Sequence, residues 1–115
     1  MTEKIIPLVL PSDYDEMEQF IMKNKLKLSE QVVASVSHAV DNDLQSVPVF
    51  HFEDSDFIVL LDNSTFVDNL DNIFNYYIET EQYEYCARVV KLKQLIQKNE
   101  QEKRYKSKGS SKRKN

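Results

Sequence analysis

Glycine and cysteine are almost missing from this chain of 115 residues: Gly109 and Cys86 stand alone. With Gly109 close to the end, the rest of the chain has none of the glycine-rich turns that let backbone amides approach a phosphate, so nucleotide-binding loops of that kind are excluded. One thiol excludes an internal disulfide and a thiolate zinc cluster, and Cys86 reads as packing material. No apolar run approaches the roughly 20 residues that a membrane helix needs. Met1-Thr2-Glu3-Lys4 lacks the basic start and long apolar core of a signal peptide. The expectation is a cytoplasmic protein with no membrane partner. Histidine is confined to His38 and His51, and there is no HExxH, nucleophile elbow or paired-cysteine motif. A non-catalytic chain is therefore expected, with no cofactor, no metal and no small-molecule substrate. A small hydrolase that brings Cys86 beside a histidine is a third, minor reading.

What the chain does have is 41% hydrophobic residues, including six Tyr and six Phe, arranged in periodic blocks. A body of that length buries roughly 60–65% of its unfolded surface, enough for one modest core. Charge is split along it. All nineteen Asp and Glu lie in residues 1–102 against eight Lys or Arg, a formal −11, while residues 103–115 carry +7. Two segments of opposite sign suit two different partners. Lysine outnumbers arginine twelve to three and there are eight asparagines, a bias expected of an AT-rich genome such as a bacteriophage's.

Ile5-Ile6-Pro7-Leu8-Val9-Leu10 reads as an edge strand, because proline denies one ladder hydrogen bond. Ser12 is a suitable N-cap for a helix over about 13–24, with Tyr14, Met17, Phe20 and Ile21 on one face. Ser29 is the expected cap of a second helix, in which Val33, Val36, Val40 and Leu44 recur at helical spacing. Val47–Phe52 and Phe57–Leu61, separated by Glu53-Asp54-Ser55-Asp56, predict a β-hairpin. After the capping groups Asn63-Ser64-Thr65, the residues Phe66, Leu70, Ile73 and Tyr77 recur at +4, +3, +4; Tyr85, Val89, Leu92 and Ile96 repeat that spacing beyond a break near Thr80. Two matching seams predict an antiparallel helical hairpin. Glu84 and Arg88 are placed as an i,i+4 pair.

From about Gln97 the apolar pattern ends. Residues 103–115 have no hydrophobe but Tyr105, so burial cannot offset their ordering entropy. Lys103, Arg104, Tyr105, Lys106, Lys108, Lys112, Arg113 and Lys114 have the composition of an electrostatic nucleic-acid arm, with one aromatic able to stack on a base. A simple solvating tail has the same composition. In the body, Asp13, Asp15, Glu16 and Glu18, then Glu53, Asp54, Asp56 and Asp62, offer carboxylates to a basic partner, imitate a phosphate backbone, or serve solubility alone. The cluster at 53–56 lacks the glycine and ligand spacing of a calcium loop.

Glu81-Gln82-Tyr83-Glu84-Tyr85-Cys86-Ala87-Arg88-Val89 resembles the start of the UVR motif, an aromatic-Glu pair followed by two small residues. That family uses a short antiparallel hairpin as a protein-docking element in bacterial excision repair and in adaptors of protein quality control. The resemblance places Tyr83, Glu84, Cys86 and Ala87 at the family's positions and implies a docking role for this hairpin. The family's following Arg-Asp pair is Val90-Lys91 here. A hairpin that merely packs on the sheet is the alternative.

The expected fold is α+β: a small three-stranded sheet covered by helices, a C-terminal antiparallel helical hairpin and a disordered basic tail, divided as an acidic domain over 1–102 and a tail over 103–115. The expected function is that of an adaptor. It docks a protein through Tyr83, Glu84, Arg88, Asp54 and Asp56, and contacts nucleic acid or a nucleoprotein assembly through the tail. The alternative is an acidic inhibitor that mimics nucleic acid on an enzyme's binding surface.

Overall fold

Three short runs of branched and aromatic side chains form one sheet: β1 (Leu8–Leu10), β2 (Ser46–Phe52) and β3 (Ile58–Asp62), in the order β1-β2-β3. The structure is a computed structural model that describes the backbone of residues 5–114 and the side chains of residues 5–103. β1 runs parallel to β2, with Leu8 opposite Phe50 and Leu10 opposite Phe52. β3 runs antiparallel, with Val47 opposite Leu61 and His51 opposite Ile58. The predicted hairpin is therefore present, the sheet is mixed, and β1 is an edge strand. Pro48 sits in the central strand, where a missing N–H would normally break the ladder. The ladder slips there, with an irregularity between Pro48 and Phe50 that accommodates it.

Helices α1 (Tyr14–Lys23) and α2 (Lys25–Asp41) connect β1 to β2. A parallel pair needs such a long crossover. α2 packs on β2, and α1 packs on α2. α1 is capped by Asp13, whose Oδ2 accepts the Glu16 N–H at 3.1 Å, and not by the expected Ser12. The Ser12 hydroxyl instead donates to the carbonyl of Glu53, tying the loop after β1 to the β2–β3 turn. α2 starts at Lys25, well before the expected Ser29 cap, and its N-cap Asn24 makes no side-chain capping bond; at its other end Asn42 Nδ2 donates to the His38 carbonyl at 2.8 Å. Asn24 separates the two helices; its backbone N–H and its Nδ2 both donate to the Phe20 carbonyl at 2.9 Å.

The 3-10 turn Asn63–Thr65 leads into α3 (Phe66–Glu79), and α4 spans Tyr83–Lys114. Asp62, Ser64 and Thr65 close this entry: Ser64 N–H and Oγ both donate to Asp62 Oδ2, and Thr65 Oγ1 donates to the Asp62 carbonyl. The backbone of α4 continues past Lys103, so the expected start of an unstructured tail is not marked by a break in the helix. Lysine and arginine propagate helix well, whereas Gly109 and the serines Ser107, Ser110 and Ser111 are weaker formers. The side chains of 104–115 lie outside the described residues.

The chain divides within α3 into two compact units, Met1–Ile73 and Phe74–Asn115. The buried apolar residues of the first are Leu10, Val33, Val36, Ala39, Val47, Val49, Phe66, Leu70 and Ile73. Those of the second are Tyr77 at the end of α3 and Cys86, Val89, Leu92 and Ile96, a stripe at helical spacing along α4 that includes the thiol. Two predicted faces are only partly used. No residue of α1 is buried, and Tyr14 is 72% exposed; Leu44 falls beyond the end of α2 and is exposed. Among the described residues no helix is long and apolar enough to cross a membrane.

Candidate docking surfaces

The second unit presents the predicted docking residues at the start of α4. The turn before it is made without glycine. Glu81 adopts φ 59, the Gln82 N–H donates to the Tyr77 carbonyl at 2.8 Å, and the Glu81 N–H donates to the Ile78 carbonyl at 3.1 Å. This paired bonding is the Schellman end of a helix. It turns the chain so that the Tyr77 and Tyr85 rings meet with centroids 5.2 Å apart. Tyr83 is 62% exposed, Glu84 and Arg88 are exposed, and Glu81 to Tyr85 line a shallow open depression. Cys86, one of the residues carried by the resemblance, is buried and serves packing, whereas Ala87 is exposed. Glu84 and Arg88 stand four residues apart on α4, the spacing of an i,i+4 pair.

Asp54 and Asp56 lie in the first unit, in the β2–β3 turn. Asp54 takes φ 55, and the turn is closed by the Phe52 N–H donating to the Phe57 carbonyl at 3.2 Å. His51 Nε2 donates to the Ser55 carbonyl at 2.7 Å, and Ser55 Oγ accepts the Phe57 N–H at 3.0 Å. His51 thus fixes the turn from within the sheet. Glu53, Asp54 and Asp56 are all exposed on it. At the other end of β3, Asp62 is exposed, and its carboxyl is held below its ordinary pKa by the Ser64 hydroxyl and then by the Ser64 N–H.

The cationic positions Lys103, Arg104, Lys106, Lys108, Lys112, Arg113 and Lys114, with the aromatic Tyr105 among them, fall in the last turns of α4. Lys103 is exposed, and the other side chains lie outside the described residues. Asp54 and Asp56 belong to one unit and Tyr83, Glu84 and Arg88 to the other. His38 lies in the last turn of α2, with Nδ1 3.4 Å from Asn42 Nδ2. Among the described residues no three of His, Cys, Asp and Glu converge as a metal-sized set.

The first unit also carries exposed apolar residues on one face of its sheet. Register places Val9, His51 and Ile58 in one row on one sheet face, with Pro48 and Leu60 in the next. The opposite face carries the buried Leu10, Val47 and Val49. Ile58 and Leu60 are 50% and 58% exposed. The cue in the sequence is a gap: residues 28–87 hold twelve Asp or Glu and not one Lys or Arg. A strand inside that gap has no lysine to guard it.

No known protein family, curated protein or solved structure matches this chain.

Proposed function

We propose that this chain is a non-catalytic adaptor, docking a protein partner through its acidic body and touching nucleic acid or a nucleoprotein assembly through residues 103–115. The observation that carries the reading is the charge division: −11 over residues 1–102 against +7 over the last thirteen. A polycationic end binds phosphates by releasing counterions, which needs no built pocket. An acidic body repels the same polymer and attracts basic protein surfaces. Exposed Tyr83, Glu84 and Arg88 at the head of α4 support docking there, in the manner the UVR resemblance implies; exposed Asp54 and Asp56 support docking at the β2–β3 turn. Mechanism in this reading is tethering.

The cation-free stretch 28–87 favours a second reading, an acidic inhibitor that occupies the nucleic-acid groove of an enzyme. Removing the tail separates the two. In the adaptor, residues 1–102 lose retention on nucleic acid while still retrieving the protein partner from the native host. In the inhibitor, target inhibition survives truncation unchanged. Should full-length chain and residues 1–102 retain the same nucleic acid at the same salt, the tail is inert and the adaptor mechanism fails.

A further inference from the structure

The two edges of the sheet are defended unequally. β1 is three residues long and follows Pro7, a short, proline-flanked edge of the kind that resists pairing. β3 is five residues long, Ile58-Val59-Leu60-Leu61-Asp62, and among the described residues it pairs with β2 alone. It has neither proline nor lysine, and no bulge is recorded along it other than the slip opposite Pro48 and Phe50. The backbone amides and carbonyls on its outer side form a template for another strand. Beside that edge the exposed Ile58 and Leu60 stand two residues apart on one face, and Phe57, 75% exposed, precedes them. Carboxylates bracket the edge: Glu53, Asp54 and Asp56 before it, and Asp62 at its end.

We infer that the free edge of β3 takes an extended segment of a partner protein as a fourth strand, with two apolar residues spaced by two and Lys or Arg at both ends. Main-chain hydrogen bonds to β3 supply the pairing, and the apolar pair joins Ile58 and Leu60 on the open sheet face. The terminal cations meet the acidic turn on one side and Asp62 on the other. Complementary charge decides the occupant. A second copy of β3 would bring Asp56 and Asp62 against their own kind, whereas a basic segment neutralises both ends. Five residues of strand span about 17 Å, so an eight-residue peptide covers the edge and both acidic flanks. The edge site deepens the docking role proposed above and rests on it.

The probe is a capped peptide, Lys-Lys-Val-Thr-Val-Thr-Lys-Lys, titrated against the full chain by calorimetry or fluorescence anisotropy. Its control is Lys-Lys-Gly-Ser-Gly-Ser-Lys-Lys, of identical charge. The first peptide binds at least tenfold tighter than the second, and Leu60→Lys weakens it at least tenfold while the circular dichroism spectrum is unchanged. N-methylation of alternate probe residues abolishes binding in one phase and spares it in the other, the signature of a strand pairing along a single edge. That measurement uses the unaltered protein, so it stands even if Leu60→Lys is poorly folded. Equal binding of the two charged peptides overturns the edge site, as does equal loss with either methylation phase. A dimer of the free chain that Leu60→Lys dissociates would overturn it too, since the occupant is then a second copy. The tail-truncation test leaves β3 untouched and this one leaves the tail intact, so either can fail while the other holds.

Discussion

Ser35 is the polar group with the least comfortable place in the described structure. It is fully buried on α2 among Val33, Val36 and Ala39, and its hydroxyl has no hydrogen-bond partner among the described residues. A desolvated hydroxyl without a partner is a net cost, and alanine is the better helix former. Ser35→Ala therefore raises unfolding stability by about 1 kcal/mol, read as a shift in the urea midpoint with an unchanged slope. Asp62 carries the clearest pH signature. Its folded pKa lies below the ordinary 3.8 because Ser64 Oγ at 2.5 Å and Ser64 N–H at 3.1 Å bond the charged form. A depressed folded value means that the contribution is complete above pH 3.8 and disappears as pH falls below it, through the folded value. Asp62→Asn keeps an acceptor oxygen but not the charge. The stability gap between wild type and Asp62→Asn, followed by chemical unfolding from pH 6 downward, stays constant to near pH 4 and then closes; a gap independent of pH contradicts the assignment.

Each helix and strand tests a different sequence cue. The apolar stripes of α3 and α4 were legible because every fourth or third residue is large, and Phe66, Leu70, Ile73, Tyr77, Val89, Leu92 and Ile96 are all buried. The hairpin was legible from the polar break at 53–56. Helix starts were less so: Ser12 and Ser29 have good capping chemistry, but Asp13 accepts the bond at α1 and Asn24 simply divides two helices. Ser, Asp and Asn compete for such positions on nearly equal terms, which accounts for the one-residue shift at α1; at α2 the helix begins at Lys25, well before Ser29, because Asn24 ends α1 and the chain re-enters helix at once. The left-handed positions were hidden for a different reason. Glycine is their usual marker, yet here they fall at Asp43, Asp54 and Glu81. Asp43 ends α2 as Glu81 ends α3, with the Leu44 N–H donating to the Ala39 carbonyl at 2.8 Å. Aspartate tolerates this region better than glutamate. Glu81→Gly therefore stabilises the α3–α4 turn by about 1 kcal/mol, the left-handed strain less the added unfolded-state entropy. Glu81→Ala retains the Cβ and gives no comparable gain, so similar midpoints for the two variants in thermal melts would remove strain as the explanation.

At the scale of the whole molecule the part legible in sequence is electrostatic and the part hidden is topological. That 1–102 is acidic and 103–115 basic follows from counting; that β3 ends up as an open edge depends on strand order, which no local pattern encodes. The charge division also sets a quantitative expectation. The last thirteen residues supply seven cations, and a contact engaging about five phosphates gives a log–log salt slope of roughly −3.5 to −4.5. Opposing it, the body's excess of eleven negative charges repels the polymer over a screening length of about 10 Å at 0.1 M salt. Neutralising body carboxylates relieves that repulsion without changing how many phosphates the tail touches. Replacing Glu53, Asp54 and Asp56 together by Gln, Asn and Asn consequently tightens binding of full-length chain to a single-stranded oligonucleotide most at low salt, and makes the slope steeper. Residues 1–102 show no measurable binding across the same range. Anisotropy titrations between 50 and 300 mM salt measure both quantities, and a slope that survives deletion of 103–115 would move the nucleic-acid contact from the tail to the body.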